Sequence, residues 1–278
     1  GCSSDTSDDQ QPVGTPLYFP PVGSDIWATT SPAALGWDES QIQPLLTYLE
    51  EKHSKSFIIL VDGKIVMENY FNGANANTLW YWASAGKTLT ATMTGIAEQE
   101  GFLDIDDKVS DYLGTGWTSA PLDKEDLIKN RHLLTMTSGL NDALGDNVDP
   151  ENLQYTADAG TRWAYANVYV KLQDVIAEAT GQTYNSYFNA KLRDKIGMNG
   201  AWFTSGDNIV YGSDARSMAR FGLLMLANGK WEDDVILNQN FFNDATNTSQ
   251  NINQAYGYLW WLNGKSTFHL PQSQFQFN

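Results

Sequence analysis

The sequence predicts an α+β fold in which an antiparallel sheet is flanked by helices, with a mostly helical region inserted between distant strands. Three observations support this prediction. Runs of β-prone residues lie near both ends of the chain, apolar residues recur at helical spacing between them, and an Asp-Gly pair joins the first two β-prone runs. The chain has 278 residues, 42% of them hydrophobic and 13% aromatic, which is enough to bury a sizeable core.

The first predicted elements are a helix and a hairpin. Residues 38–53 carry apolar side chains on one helical face and begin with Asp38, a residue type that caps helices. Residues 56–60 and 64–71 are apolar or β-branched, and Val61-Asp62-Gly63 lies between them. An Asp-Gly pair between two such runs is a strong signal for a tight antiparallel hairpin.

Helical spacing and one late aromatic run complete the prediction. The spacing of apolar residues predicts further helices over residues 84–99, 168–180, 184–196 and 214–228. Residues 256–262 are aromatic and β-prone and come directly before Asn263-Gly264, a turn signal. We therefore expect a strand over 256–262 that ends in a turn.

Charge and residue usage exclude several function classes. The formal net charge is -16, and no cluster of Lys and Arg reverses it locally, so we expect no nucleic-acid partner. The chain has three His and no His-Glu-x-x-His pattern, so we expect no catalytic metal, and no motif calls for another cofactor. The expected partner is a small-molecule or short-peptide substrate.

The N-terminal residues indicate a lipid anchor. Cys2, the only cysteine, is followed by a polar tract that cannot bury itself, and we expect residues 1–24 to form a flexible tether. A cysteine before such a tether resembles the start of a mature bacterial lipoprotein. This implies a lipid on Cys2 as the sole membrane contact and a place in the bacterial cell envelope, periplasmic or at the outer membrane. The alternative is an incidental cysteine.

The segment Ser84-Ala85-Gly86-Lys87 carries the first candidate chemistry. Positions three apart share a helix face, so the Lys87 amine can reach the Ser84 hydroxyl. A serine hydroxyl needs a neighbouring base to become a good nucleophile, and a desolvated lysine can be that base. The aromatic segment Leu79-Trp80-Tyr81-Trp82-Ala83 favours desolvation, and the amide of a serine at a helix start can receive an oxyanion. A capped surface helix would explain the spacing equally well.

A second segment, Tyr165-Ala166-Asn167, adds to the first. A tyrosine and an asparagine two residues apart, on a turn before a helix, can point the same way. A tyrosine held near a lysine can relay protons, and an asparagine amide can hold a substrate carbonyl or orient the lysine. On its own, Tyr165 is equally well explained as a core aromatic with a hydrogen-bonded tip.

Together these motifs resemble the serine β-lactamase and penicillin-binding-protein superfamily, in its class C-like branch. That branch contains class C β-lactamases, D-alanyl-D-alanine carboxypeptidases, esterases and 6-aminohexanoate-dimer hydrolases. The resemblance runs from about residue 36 to residue 263. Supporting segments are Asp104-Ile105-Asp106-Asp107-Lys108-Val109, His132-Leu133-Leu134-Thr135-Met136-Thr137-Ser138-Gly139-Leu140 and Ser217-Met218-Ala219-Arg220-Phe221-Gly222.

The resemblance implies a fold, a domain plan and roles for the site residues. It implies the β-lactamase/transpeptidase-like fold, with a catalytic domain over residues 25–278 and a helical subdomain over about 102–205. It implies that Ser84 is the acylated nucleophile, Lys87 the activating base and Tyr165 a proton relay. Asn167 is then a contact for the substrate or for Lys87.

The chain departs from the family pattern in two places. Met136 stands where the family has a second histidine, a position that we expect to be structural. The family's third motif, Lys-Thr-Gly or His-x-Gly, is absent, since Gly264-Lys265-Ser266-Thr267 has the wrong order and His269 lacks a Gly partner. The resemblance thus implies that C-terminal strands are missing, so the chain is either a fragment of a longer protein, which we favour, or a truncated member of the family. We expect it to be a poor enzyme by itself.

The predicted function is hydrolysis of an amide or ester bond through a Ser84 acyl-enzyme, with Lys87 and Tyr165 as base and proton relay. The substrate stays open among a β-lactam, a peptidoglycan peptide, an ester and an amide oligomer. The alternative is a non-catalytic cell-envelope protein that keeps the penicillin-binding fold for binding. The presence of Ser84, Lys87 and Tyr165 together favours the enzyme, because a binding protein needs no such set.

Overall fold

The computed structural model describes residues 16–278 of the chain. Cys2 lies outside the described residues, so its lipid attachment stays a prediction. The domain boundaries at residue 25 and at about 102 and 205 also stay predictions. Within residues 16–278, no helix is both long enough and apolar enough to cross a bilayer.

The described residues form α-helices and short antiparallel strands, which agrees with the predicted α+β class. In chain order, the helices are α1 (Ile42–Glu51), α2 (Lys87–Gln99), α3 (Ser110–Leu113), α4 (Leu122–Glu125), α5 (Asn130–Leu134), α6 (Lys171–Thr180), α7 (Tyr184–Phe188), α8 (Asp194–Ile196), α9 (Ala215–Leu226) and α10 (Gln239–Ala245). The strands are β1 (Ser56–Val61), β2 (Lys64–Tyr70), β3 (Trp80–Tyr81), β4 (Ala201–Ser205), β5 (Asn208–Ser213), β6 (Lys230–Trp231) and β7 (Asp234–Val235).

The predicted helix and hairpin near the start are confirmed. Asp38 accepts a hydrogen bond from the Ser40 amide and caps a 3-10 turn that leads into α1. Strands β1 and β2 pair antiparallel, and Asp62 and Gly63 between them both have positive φ, at 52° and 86°. Positive φ at both central residues is the turn geometry that the Asp-Gly pair predicts.

Strand β5 joins distant parts of the chain. It pairs antiparallel with β4, its neighbour in sequence, and with β3, so that Trp80 lies opposite Ser213. This three-stranded sheet places the segment that precedes Ser84 beside residues 208–213. The hairpin of β1 and β2 and the pair of β6 and β7 form separate two-stranded sheets in the described part of the chain.

Helix α2 lies in the middle of the core. Its residues from Leu89 to Ala97 are all buried, including three threonines. Thr92 and Thr94 each donate a hydrogen bond to the carbonyl four residues earlier, which satisfies their hydroxyls inside the helix. A continuously buried helix is held rigidly by its neighbours, so its first turn gives the candidate nucleophile a fixed position.

Several predicted boundaries differ from the structure. The helix predicted over 84–99 begins with a 3-10 turn, Ala83–Gly86, before α2. The helix predicted over 184–196 is divided into α7 and α8 by a π-helical turn, Asn189–Arg193. Such turns keep the period of the apolar residues nearly unchanged, so spacing does not reveal them.

The strand predicted over residues 256–262 is wrong. The structure has only an isolated bridge between Tyr256 and Trp261 in this segment. The amides of Tyr258 and Leu259 donate to the ends of α10 and α5 instead of to a strand. The aromatic residues are there because the segment is buried between helices, and burial favours the same residue types as a strand does.

The predicted flexible tether is also wrong for its last residues. In the described part of it, residues 16–24, the Tyr18 amide donates to the carbonyl of Asp62, at 2.8 Å. The ring of Phe19 packs edge-on against Trp231, with centroids 5.0 Å apart. The polar composition of the first residues does not continue to residue 24, and two aromatic residues anchor this part to the domain.

Candidate active site

Ser84 and Lys87 lie in hydrogen-bonding contact, as their spacing predicts. Ser84 is exposed in the 3-10 turn before α2, and Lys87 is the first residue of α2. Lys87 Nζ donates to Ser84 Oγ over 3.1 Å. The pair therefore has the geometry of a nucleophile beside a base.

The chain before Ser84 is fixed by Trp82. The Trp82 amide donates to the Tyr211 carbonyl at 2.7 Å, and its indole Nε1 donates to Ser213 Oγ at 2.7 Å. Ala83 follows with φ of 51°, a left-handed conformation that is costly for a residue with a side chain. The anchored tryptophan on one side and the buried helix on the other hold this strained residue and turn Ser84 outward.

Two tyrosine rings surround the Lys87 amine. Nζ lies 4.8 Å from the ring centroid of Tyr165 and 5.0 Å from that of Tyr169. In residues 16–278, no carboxylate lies close enough to Lys87 to form an ion pair. Burial raises the pKa of Tyr169 above its ordinary value, so its hydroxyl stays protonated at neutral pH.

An aromatic cluster holds Tyr165 from behind. Its ring is stacked on Trp261 with centroids 5.8 Å apart and an interplanar angle of 29°. The ring of Tyr256 meets it edge-on at 6.3 Å. Packing on two sides limits the rotamers open to Tyr165, which keeps the ring against Lys87.

Asn167 joins two loops at the edge of the site. It is buried, and its Nδ2 donates to the carbonyls of Asp146, at 2.8 Å, and Asp207, at 3.0 Å. Its side-chain amide nitrogen is thus used in fixing the loops, and no hydrogen bond to Lys87 is found among the described contacts. Asn167 nevertheless lines the cavity in front of Ser84, so substrate contact stays a prediction for it.

A polar cavity of about 850 Å³ opens in front of Ser84, Lys87 and Tyr165. Arg162 and Asp142 form an ion pair on its wall, with Nη2 and Oδ1 2.8 Å apart and both side chains largely buried. The remaining wall is mostly polar and includes Asp146, Asn208, Gln272 and Gln274.

A second cavity, of about 350 Å³, lies on the other side of Ser84 and Lys87. Strands β3, β4 and β5 contribute most of its wall, and Tyr169 lines it as well. The candidate nucleophile and base are thus shared by two cavities with different walls.

The Ser84 amide is a candidate oxyanion donor. The backbone hydrogen bonds of the described turns, loops and caps include none donated by Ser84. An N–H group at the start of a buried helix, with no acceptor of its own, suits the negative oxygen of a tetrahedral intermediate.

Sequence reasoning missed Tyr169 and the pair of Asp142 and Arg162. No helical spacing linked Tyr169 to Tyr165, because Tyr165 lies before the 168–180 helix pattern and Ala166 between them is extended. No signal pointed to Asp142 and Arg162, since they are twenty residues apart in irregular chain. His269 is buried beside Trp163 and lines neither cavity.

Comparisons with known proteins agree with the geometry. A family model described as beta-lactamase matches residues 48–271. Penicillin-binding protein 4* of Bacillus subtilis is 29% identical over 188 residues, and the match covers 57% of this chain and 40% of that protein's length. The chain thus aligns with less than half of that curated relative.

Two solved structures share the fold. A putative β-lactamase from Bacteroides dorei superposes with a TM-score of 0.68 at 19% identity, covering 81% of this chain and 79% of the other. A putative 6-aminohexanoate-dimer hydrolase from Bacillus anthracis superposes with a TM-score of 0.67 at 19% identity, covering 84% and 71%. The fold and the matched residues together confirm the predicted superfamily, and the chain belongs to the β-lactamase family.

Proposed function

We propose that the protein is a serine hydrolase that cleaves an amide or ester bond through an acyl-enzyme on Ser84. The observation that carries the proposal is the 3.1 Å contact between Lys87 Nζ and Ser84 Oγ where two cavities meet. Tyr165 lies against the same amine and is the proposed proton relay.

Acylation follows from this arrangement. Ser84 Oγ attacks the carbonyl carbon while its proton passes to the amine of Lys87, which acts as the base. The Ser84 amide donates to the oxygen that becomes negative. When the tetrahedral intermediate collapses, the bond to the leaving group breaks. The leaving group takes a proton from Lys87 through Tyr165, and an ester to Ser84 remains.

Deacylation repeats these steps with water. A water molecule gives its proton to the amine of Lys87 as its oxygen attacks the ester carbonyl. Collapse then breaks the bond to Ser84 Oγ, which recovers a proton from Lys87. The products are a carboxylic acid and the free enzyme, and Lys87 and Ser84 return to their starting protonation states after one turnover.

The test is intact-mass analysis after treatment with a fluorophosphonate, with a penicillin and with short p-nitrophenyl esters. We expect one fluorophosphonate adduct, located on Ser84, because activated serines react with this probe. Ser84→Ala should give no adduct, and Lys87→Ala should react at least about 100-fold more slowly through loss of the base. The penicillin and the esters distinguish the substrate classes.

Ser266→Ala is the matched control, because Ser266 is exposed and lines neither cavity. It should react like the wild type. Ester hydrolysis by Ser84→Ala at the wild-type rate would refute the mechanism. A folded protein that forms no adduct with any probe would instead favour a non-catalytic binding protein.

A further inference from the structure

The two cavities at Ser84 differ in chemistry. The smaller one is walled by Tyr81, Phe203 and Val210, side chains that offer mainly carbon surface, and Ser205 and Asn208 line it as well. The larger one is walled by charged and amide side chains, with Arg162 already paired to Asp142. A substrate that extends into both cavities therefore meets a more apolar wall on one side of Ser84 than on the other.

The apolar wall is formed by the sheet of β3, β4 and β5. Phe203 on β4 lies against Gly212 on β5, and a Cβ atom at Gly212 would come within 3.1 Å of the Phe203 ring. The glycine thus lets the ring lie close to the sheet. Tyr81 remains 51% exposed and Phe203 46% exposed at the mouth of this cavity. Exposed apolar side chains that together line a cavity are typical of a binding surface.

The position of Tyr165 indicates which half of the substrate each cavity receives. Tyr165 lines the larger cavity and is not among the residues of the smaller one. A leaving group must depart on the side where its proton is supplied. The leaving group therefore lies in the polar cavity, and the acyl group lies on the opposite side of Ser84, in the apolar cavity.

We propose that the cavity lined by Tyr81, Phe203 and Val210 is an acyl pocket that selects substrates with an apolar acyl group and a polar leaving group. This inference rests on the proposed function. A volume of about 350 Å³ lies at the lower end of the range for small-ligand pockets, which fits a medium-length acyl chain or one aromatic ring.

The test compares kcat/KM for p-nitrophenyl acetate, butyrate and hexanoate. Each methylene that enters an apolar pocket raises binding about threefold to fourfold. Hexanoate has four more methylenes than acetate, so we expect kcat/KM to rise about 80-fold or more when all four enter the pocket. The leaving-group side is tested with hexanoate esters of alcohols that differ in polarity, and the more polar alcohols should be cleaved faster at matched alcohol pKa.

Two variants locate the selectivity. Phe203→Ser should reduce the hexanoate-to-acetate ratio of kcat/KM severalfold. Val210 lies opposite Phe203 on the same face of the sheet, so Val210→Trp should fill the cavity and lower the hexanoate rate more than the acetate rate. Leu226→Ser is the control, since Leu226 is also exposed but lines neither cavity, and it should keep the wild-type ratio. Melting curves establish that each variant is folded.

The outcomes separate this inference from the proposed function. If kcat/KM does not change with acyl chain length, or changes only with the length of the alcohol, there is no acyl pocket. The proposed function still holds in that case if Ser84 reacts with the fluorophosphonate. An unchanged acyl profile in both folded pocket variants would overturn it as well. Failure of Ser84 to react with any probe would overturn both proposals.

Discussion

At the scale of the residue, His132 shows how burial sets a protonation state. Loss of hydration, together with the neighbouring cations Lys129 and Arg131, lowers the pKa of His132 to about 4, while Asp106 opposes these effects. The ring nitrogen Nδ1 accepts a hydrogen bond from the Lys129 amide at 2.9 Å. The folded state thus holds this imidazole neutral and uses it to cap α5.

Folding stability should therefore decrease on acidification. The unfolded chain takes up a proton on this histidine near pH 6.5, whereas the folded chain does so only near pH 4. The stabilising contribution of neutral His132 to the free energy of unfolding is complete above pH 6.5. It is on the order of 3 kcal/mol and is lost as the pH falls to about 4. Urea unfolding at several pH values between 4 and 7 measures how the free energy of unfolding changes with pH.

His132→Asn should reduce that pH dependence, because asparagine offers an acceptor to the Lys129 amide and does not titrate. His53→Asn is the control, since His53 is exposed and has a φ of 61°, which asparagine tolerates. If the free energy of unfolding depends on pH equally in the wild type and in His132→Asn, the attribution of this pH dependence to His132 is wrong.

Local spacing predicted the central residues of the site, and long-range contacts supplied the others. The contact between Ser84 and Lys87 depends on one helical turn, which a spacing of three residues specifies. The pair of Asp142 and Arg162 depends on how two irregular segments fold, and no period in the sequence encodes that. Asn167 was predicted as a site residue, and its use in fixing two loops depends on residues 146 and 207.

At the scale of the element, α2 depends on a close approach of neighbouring side chains. A Cβ atom at Gly95 would lie 2.5 Å from the ring of Phe241 and 2.7 Å from a methyl carbon of Leu237. Phe241 belongs to α10, so the glycine sets how closely this helix packs on α2. Gly222 on α9 is the opposite case, because nothing lies within 4 Å of a Cβ atom there.

Alanine should have opposite effects at these two glycines. Gly95→Ala should lower the free energy of unfolding by about 1–2 kcal/mol, since overpacking at the Phe241 ring exceeds the gain in helix propensity. Gly222→Ala should raise it by about 0.5–1 kcal/mol, since an exposed helical position gains propensity without a clash. Urea denaturation of both variants measures the difference, and a stabilised Gly95→Ala would contradict the packing argument.

Element types were predictable where one physical cause produced the pattern. The hairpin at Asp62 and Gly63 requires a left-handed turn, and few residue pairs other than Asp-Gly suit it. The aromatic run over 256–262 had two possible causes, a strand or burial between helices, and composition does not separate them.

At the scale of the whole molecule, Arg220 joins three parts of the chain. It is buried on α9, and it donates to the carbonyls of Ile196 at 3.0 Å and Pro21 at 2.9 Å. Its guanidinium also lies over the rings of Trp27, at 5.2 Å, and Trp231, at 5.9 Å. The N-terminal segment is thereby held on the domain by a residue two hundred positions away.

Arg220→Met should loosen this segment. Loss of the charged donors leaves two carbonyls without their partner, which we expect to cost about 2–3 kcal/mol of unfolding free energy. Limited proteolysis should then cleave residues 16–26 faster than in the wild type. Lys108→Met, which removes an exposed lysine paired with Asp126, is the control and should leave the cleavage rate unchanged. If Arg220→Met and the wild type are cleaved at equal rates, the contacts of Tyr18 and Phe19 are sufficient to hold this segment and the role given to Arg220 is wrong.

The sequence by itself determined the α+β class, the early hairpin, the helix behind Ser84 and the pairing of Ser84 with Lys87, because neighbouring residues encode each of these through a short period or a turn. The tertiary structure alone decided that residues 16–24 pack on the domain, that the aromatic run is no strand, and that Ser84 lies between a polar and an apolar cavity. Those features are formed by segments far apart in sequence, such as β3 with β5 and residue 142 with residue 162, and their contacts exist only once the chain has folded.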